Sequence, residues 1–494
     1  MTARSGDAHL ELERERRFLL PGGVTLPPLD RLGPASPTRT LHLRAEYFDT
    51  PQLDLAGAGV TLRRRTGGDD DGWHLKTPGP DGARLEHRLP IGAPRRIPAS
   101  LRATVADVVG DHPVLPLLLM TTTRRVLHVF GDSGRVRLEV AVDDVTAQPP
   151  AGGSGPRRRW REVEVELAAG EPQSTLDEAS ALLAAAGLLP APHSSKLQQA
   201  LGPRASGADI RRATAAGAIR SALCRDYGRF QALEARIAAD EPDAVHMARV
   251  ALRRMRSILR VFGRTLSSAG RTELLGELRW AGGLLGGPRD TEVLIEVFDE
   301  LASEGAVALD EELRESLTAH LATRHDAARD LLLTSMATPR WDALHERIVG
   351  LLHEATPTRA GLRPASPGLR HMAGRAVARV ERRHRRALRH PEDPTLWHAV
   401  RKAAKAARYA HEVVADLSSG HAADVAAAEG WKDVTTAFGR FQDLVIAGEV
   451  VAEVTATAAG GRLGRDVQAL AARRLLDARA VLLAVDSPPR TGAP

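Results

Sequence analysis

Trp160-Arg161-Glu162-Val163-Glu164-Val165-Glu166-Leu167 alternates acidic and aliphatic residues without a break. Side chains of a strand point in turn to its two faces, so Glu162, Glu164 and Glu166 share one face and Val163, Val165 and Leu167 the other. The pattern spreads outward from this stretch. Arg135, Arg137, Glu139 and Asp143 alternate with Val136, Leu138, Val140 and Val142. Glu13, Glu15 and Arg17 share a face, as do Thr61, Arg63 and Arg65, His74 and Lys76, and Arg84, Glu86 and Arg88. One solvated sheet face would account for any single strand. Here nearly every strand has a charged face, and the faces mix strong acids with strong bases. A sheet that closes on itself turns such faces into a polar lumen. Charges there persist only when paired, hydrated or holding an ion. Arg and Lys suit phosphate oxygens, and clustered carboxylates suit a hard cation such as Mg²⁺ or Mn²⁺.

A chain of 494 residues is too long for one ordinary core. Its texture changes near residue 205, from short alternating segments with Gly/Pro/Asp turns to long Ala/Leu/Arg segments of helical period. The stretch 202–207 reads as a linker, and a further break near Gly361 to Pro367 divides the helical part. The formal charge is +6, carried by Arg rather than Lys. A single cysteine, Cys224, excludes a disulfide framework. No apolar run reaches membrane-spanning length and no signal peptide opens the chain, so a cytoplasmic protein without a membrane partner is expected.

The helical part repeats itself. Pro242, His246, Arg249, Ala251, Arg253 and Arg256 recur at the same spacing as Pro394, His398, Arg401, Ala403, Lys405 and Arg408. Downstream, Leu285-Gly286-x-x-Arg289-Asp290 recurs as Phe438-Gly439-x-x-Gln442-Asp443. The prolines suit a first helical turn. On a helix, His246, Arg249, Arg253 and Arg256 fall within an arc of about 80°, as do His398, Arg401, Lys405 and Arg408. Like charges at this spacing repel, and a merely solvated face mixes signs. A polyanionic partner is the better explanation. A third basic run, Arg370 to Arg389, holds eight arginines in sequence order (Arg370, Arg375, Arg379, Arg382, Arg383, Arg385, Arg386 and Arg389) against Glu381 alone. Asp290 and Asp443 read as residues that hold arginines in place.

Two resemblances follow from these residues. Glu13-x-Glu15-x-Arg17-Phe18 is similar to the ExExK signature of the CYTH, or triphosphate-tunnel, family, with Arg17 in place of the usual Lys. Tyr47-Phe48-Asp49-Thr50-Pro51, Gly59 to Arg65, Trp73-His74-Leu75-Lys76, Val142-Asp143-Asp144-Val145, Glu162 to Glu166 and Ser194-Ser195-Lys196 match in the family's order. His246 to Arg256 and His398 to Tyr409 resemble the CHAD family. The resemblances imply an α+β multidomain chain: an eight-stranded antiparallel β-tunnel over 8–201, then an all-α domain of two pseudo-symmetric helical bundles over 208–485. Carried over, Glu13, Glu15, Glu162 and Glu164 would hold Mg²⁺ or Mn²⁺ and do the catalysis. Arg17, Arg63, Arg65, Lys76, Arg84, Arg124 and Lys196 would hold phosphate. His246, Arg249, Arg253, Arg256, His398, Arg401, Lys405 and Arg408 would hold polyphosphate. Arg88 stands where the family more often has a carboxylate. The Arg124/Arg125 register stays open, because a one-residue slip exchanges which points inward.

The resulting expectation is a metal-dependent phosphohydrolase acting on inorganic triphosphate or a related triphosphate, with polyphosphate bound by the helical part. The alternative is a polyphosphate-binding protein without hydrolysis, such as one at polyphosphate granules. Nucleic-acid binding is disfavoured by the absence of a recognised motif and by an aromatic content of only 3%. Adenylate cyclase activity is a minor alternative that the first resemblance brings. Oligomeric state and the identity of the triphosphate are not fixed by the sequence.

Overall fold

The computed structural model describes residues 9–80, 83–92, 96–150, 157–192, 195–201, 214–303, 311–417, 422–454 and 458–485. The linker expected at 202–207, the turn at 152–156 and Ser194 lie outside them. The chain forms two compact units, Met1–Ser206 and Gly207–Pro494.

The first unit is one antiparallel sheet of β1 (His9–Glu13), β2 (Glu15–Leu19), β3 (Arg39–Asp49), β4 (Thr61–Thr66), β5 (Gly72–Pro78), β6 (Arg84–Pro90), β7 (Leu115–Phe130), β8 (Val136–Gln148), β9 (Arg158–Leu167) and β10 (Leu189–Pro190). The strand order is β1-β6-β5-β4-β3-β7-β8-β9-β2-β10. The sheet has ten strands, not the eight expected. The N-terminal segment is cut in two at Arg14: β1 pairs with β6, and β2 pairs with β9. The two-residue β10 adds to the outer side of β2. Because Arg14 joins β1 to β2, one continuous segment ties the β6 side of the ladder to the β9 side, and the sheet curls into a tunnel.

Packing decides which face turns inward. Val163, Val165 and Leu167 are buried against Leu176, Ala179 and Leu183 of helix α1 (Gln173–Ala185), which lies on the outside. On β4 and β5, Leu62, Trp73 and Leu75 are buried under Ile97, Leu101, Val105 and Val109. The apolar faces thus lie outside under helical cover, and the alternating charged faces line the interior. Helix α2 (Lys196–Leu201) packs inside one end: Leu197 and Ala200 are buried against the inward-facing Ala45, Tyr47, Met120 and Val145.

The second unit is helical: α3 (Ala215–Ala238), α4 (Ala244–Phe262), α5 (Arg271–Leu284), α6 (Gly286–Ser303), α7 (Glu311–Met336), α8 (Pro339–Glu354), α9 (Ala365–Ala387), α10 (Pro394–Leu417), α11 (Ala422–Val454) and α12 (Ala458–Ala484). In α4, Ala248, Ala251, Leu252, Met255, Leu259 and Phe262 form the buried stripe. Pro394 opens α10 as expected. Pro242 does not open α4; it precedes the cap Asp243, whose φ of 61° turns the chain into the helix. The turn near Gly361 separates α8 from α9, yet one hydrophobic core runs across it, from Leu294 and Phe298 of α6 to Trp397 and Phe438. Trp397 is fully buried, donates its Nε1–H to the Pro391 carbonyl at 2.9 Å and lies 6.2 Å from the Phe438 ring. Trp397→Ala should therefore cost about 3–5 kcal/mol, read as a lower denaturant midpoint at unchanged slope. Among the described residues, no helix is long and apolar enough to cross a membrane.

Candidate functional site

The tunnel encloses a cavity of about 610 Å³. Glu13, Glu15, Arg17, Arg63, Arg65, Lys76, Arg84, Arg124, Glu164 and Lys196 all line it, so ten of the sequence-derived positions share one space. Glu162 is not in the lining: it is fully buried beneath Arg17 and Lys196. Strand parity puts it on the inward face, but its level is that of the α2 plug. The Arg124/Arg125 question is resolved. Arg124 points inward to Asp143, with Nε and Nη2 at 2.9 and 2.8 Å, while Arg125 is exposed beside Asp144.

At the plugged end the charges neutralise one another. The oxygens of Asp143, Glu162 and Glu164 lie within 4.8 Å of one another. The Lys196 ammonium sits among them, 2.9 Å from Asp143, 2.9 Å from Glu162 and in contact with Glu164. Arg17 reaches Glu162 at 2.5 Å and Glu164 at 3.3 Å. Burial opposes the charge on Lys196, but the three carboxylates override it and hold the ammonium above its ordinary range.

Elsewhere in the cavity the charges separate onto two walls. Glu15 pairs across the sheet with Glu166, and Glu166 with Glu139, so three carboxylates stand in one row with Glu13 nearby. Like charges directly opposite one another destabilise a sheet. Burial, and then Glu13, pushes Glu166 up to about 8. Burial also raises Glu13 to about 7, against the pull of Lys76. The sequence singled out neither Glu166 nor Glu139 as a site residue, although both share the parity of residues it chose. The other wall is cationic. The buried Nε atoms of Arg63 and Arg65 have no hydrogen-bond partner among the described residues. Burial, Arg63 and Arg124 lower Arg65 to about 9. Arg84 donates to the Gly59 carbonyl at 3.5 Å, and Arg88 pairs with Glu86 at 2.5 Å. Behind this wall, His74 Nδ1 meets Glu86 at 2.9 Å and its Nε2 meets the Asp70 carbonyl at 2.9 Å. Burial lowers His74 to about 4 against the pull of Glu86, and the acceptors at both ring nitrogens fix the ring as a strut.

A second cavity, of about 450 Å³, lies in the helical unit. His246, Arg249 and Arg253 of α4 face His398, Arg401, Lys405 and Arg408 of α10 across it. Arg256 is not in its lining; it lies with Arg260 and Arg279. Arg289 of α6, which the sequence placed only in the repeat, is in the lining. Asp290 accepts from Arg249 at 2.5 Å, and Asp443 lies 4.0 Å from Arg401. His398 Nδ1 is 2.9 Å from Gln442 Oε1. Arg253 donates to the Tyr409 hydroxyl at 2.8 Å. Burial, followed by Arg401, Arg253 and Arg249, lowers Lys405 to about 6. Burial and nearby cations lower His246 and His398 as well.

These features define a class: a curled sheet with a charged lumen, followed by a helical unit with cations from two helices gathered in one cavity. Residues 11–200 match the CYTH domain and residues 221–452 the CHAD domain. An uncharacterized protein of Mycobacterium tuberculosis is 31% identical over 462 residues, covering 89% of this chain and 88% of that one. The chain belongs to the CYTH and CHAD families, as a CYTH–CHAD fusion. Over 110 residues, 22% of this chain, it is 43% identical to human thiamine-triphosphatase and covers 46% of that protein. Among solved structures, the CHAD domain from the plant Ricinus communis is similar at 24% identity and a TM-score of 0.46, covering 56% of this chain and 94% of that one. PptA from Streptomyces chartreusis is similar at 20% identity and a TM-score of 0.44, covering 56% and 98%.

Proposed function

We propose that the tunnel hydrolyses a linear triphosphate with the help of a divalent cation, and that the helical unit binds inorganic polyphosphate. The observation that carries the first part is the separation of charge in one cavity. Arg63 and Arg65, whose buried Nε–H groups have no partner among the described residues, face the row Glu15–Glu166–Glu139, in which Glu166 stands between two carboxylates and Glu139 meets His128 at 3.2 Å and Arg124 at 4.0 Å.

Arg63, Arg65 and Arg84 would hold phosphate oxygens through charge-assisted hydrogen bonds, and Arg124, already bound by Asp143 and Glu164, would reach them from the floor of the site. Lys196 and Arg17 are engaged by Asp143, Glu162 and Glu164, and would fix the floor of the site. Among the described residues only the oxygens of Asp143, Glu162 and Glu164 lie close enough to share one ion, but the Lys196 ammonium holds their centre, so a divalent cation would instead be drawn, together with the triphosphate, to the Glu15–Glu166–Glu139 row with Glu13 nearby. The raised proton affinity of Glu13 and Glu166 marks carboxylates that a cation would relieve. Mg²⁺ or Mn²⁺ bound there supplies charge neutralisation on the phosphate oxygens. Glu13 and Glu166 would orient water and take its proton, while the arginine wall holds the terminal phosphoryl group in line.

Tyr47 is the one Phe, Tyr or Trp among the described lining residues, and it is buried. A thiamine or nucleobase therefore finds little to stack on, which favours inorganic triphosphate. The test is phosphate release from tripolyphosphate, thiamine triphosphate and ATP, each with Mg²⁺ or Mn²⁺. Release should be fastest from tripolyphosphate and vanish on chelation. Arg63→Ala should raise KM for tripolyphosphate by about 10- to 100-fold, the value of one charge-assisted hydrogen bond. Tight binding of all three without release would favour the non-catalytic reading. For the helical unit, the supporting observation is the gathering of cations from both repeats in one cavity, where Lys405 is held far below its ordinary range.

A further inference from the structure

The basic run at the end of α9 does not join the α4–α10 cavity. Arg382, Arg385, Arg386, Arg389 and His390 line a cleft of their own, with Asp393 and Leu396 at its edge. On helical geometry the four arginines fall within an arc of about 100°. All four are exposed, as is Arg383 beside them. Among the described residues none of these five arginines makes an ion pair, whereas Arg370 of the same helix reaches Asp424 at 2.6 Å. The acids at the cleft are engaged by groups other than these arginines. Asp393 accepts from the Thr395 backbone N–H at 2.8 Å and its hydroxyl at 2.6 Å, and Glu392 lies 3.7 Å from His390. Glu381 borders the arc, one turn before Arg385, but makes no ion pair with it among the described residues. The helix dipole favours cations in a last turn and so accounts for Arg385 and Arg386. It does not account for Arg382, Arg383 and Arg389, which repel them.

We propose that this cleft is a second polyanion site, which takes the overhang of an extended inorganic polyphosphate whose other segment occupies the α4–α10 cavity. The inference rests on the polyphosphate reading of that cavity. Leu396 edges the cleft and His398 lines the cavity, so the two sites flank the same early turns of α10. Residues two apart on a helix point about 200° apart, and a helix with its side chains is about 10–12 Å across. A ligand that meets both sites must bend round one helix. Polyphosphate is a flexible single chain with charge at every unit. Duplex DNA stays stiff over about 50 nm and does not make that turn. Single-stranded nucleic acid would bend, but the cleft lining has no Phe, Tyr or Trp for bases to stack on, and His390 is its one ring.

The test compares tripolyphosphate, long-chain polyphosphate and duplex DNA as ligands of the full chain by calorimetry. The variant is Arg382→Glu/Arg386→Glu/Arg389→Glu, with Arg382→Gln/Arg386→Gln/Arg389→Gln as a milder companion and thermal melts as the folding check. Long-chain affinity should fall by about tenfold, since three exposed charge contacts are each worth a factor of about two. Its salt dependence should flatten, and tripolyphosphate binding should not change. Equal loss for both phosphates, or no loss for the long chain, would overturn the proposal. So would a loss confined to duplex DNA. A cavity variant, Arg253→Glu/Lys405→Glu, separates this from the parent reading. If long-chain binding survives that variant but not the α9 variant, the cleft stands and the cavity reading fails.

Discussion

Glu166→Gln should lower metal-dependent phosphate release from tripolyphosphate by about 10²- to 10⁴-fold, the usual range for a group that takes a proton in the reaction. The same change should make the metal-free protein more stable. Glu166 stands between Glu15 and Glu139 in a row of like charges, and burial holds its carboxyl at about 8. The sign follows from linkage. The folded state binds the Glu166 proton more tightly than the unfolded chain does. Between its ordinary value of 4.5 and about 8 the folded state therefore carries more protons, and stability falls as pH rises through that window. Gln cannot ionise, so the fall contributed by this group should vanish. Melts of the two proteins should diverge most at pH 8, with the variant higher, by about 2–4 °C for each kcal/mol relieved. Saturating Mn²⁺ should raise the parent protein's melt and leave the variant nearly unmoved. A variant that loses activity and stability together would mark Glu166 as a packing residue and remove it from the site.

The second large effect lies in the helical unit. Polyphosphate affinity should fall up to tenfold per pH unit above about pH 6. In the free protein, burial and its cationic neighbours put Lys405 at about 6, so it is largely neutral at pH 8. A polyanion beside it restores the charge, so binding takes up a proton. Affinity then drops as pH rises, with a slope of up to one log unit per pH unit from this group. His246 and His398 are lowered too, and add to the slope in their own range. Lys405→Arg keeps a charge at all these pH values, and should remove the lysine's share of the slope and raise affinity at pH 8. Calorimetry in two buffers of different ionisation enthalpy reads the proton directly. No proton uptake at pH 8, with the same slope in Lys405→Arg, would mean that Lys405 does not meet the ligand.

The alternation of Glu162, Glu164 and Glu166 with Val163, Val165 and Leu167 was enough to foresee a sheet with one charged face. The β-tunnel followed by helices is what the chain forms. Parity settles the face of a residue but not its level along the tunnel. Sequence alone therefore places Glu162 with Glu164, though Lys196 of α2 covers it, and does not distinguish Glu166. The level depends on where α2 enters, and this is fixed by burial of Leu197 and Ala200 against residues from three distant strands. The helical stripe shows the same limit. Ten residues of helix extend about 15 Å, so Arg256 shares the face of His246 and still falls outside the cavity. Arg289 was legible only as part of a repeat, because it reaches the cavity from another helix. The ten strands depart from eight because Arg14 interrupts the first one and the two-residue β10 adds to the outer side of β2.

That interruption also has a consequence for biosynthesis. A ribosome makes the segment 9–19 before the rest of the sheet, yet Glu15 has no partner until Glu166 has been made, and His9 waits for Arg88. Its first half can be set once β6 is made, but its second half must wait for β9, so the segment 9–19 is the keystone that closes the sheet late. While it waits, its backbone donors and acceptors are open to any passing strand, and the alternating charges of Glu13-Arg14-Glu15-Arg16-Arg17 make that wait safer by keeping the segment in water.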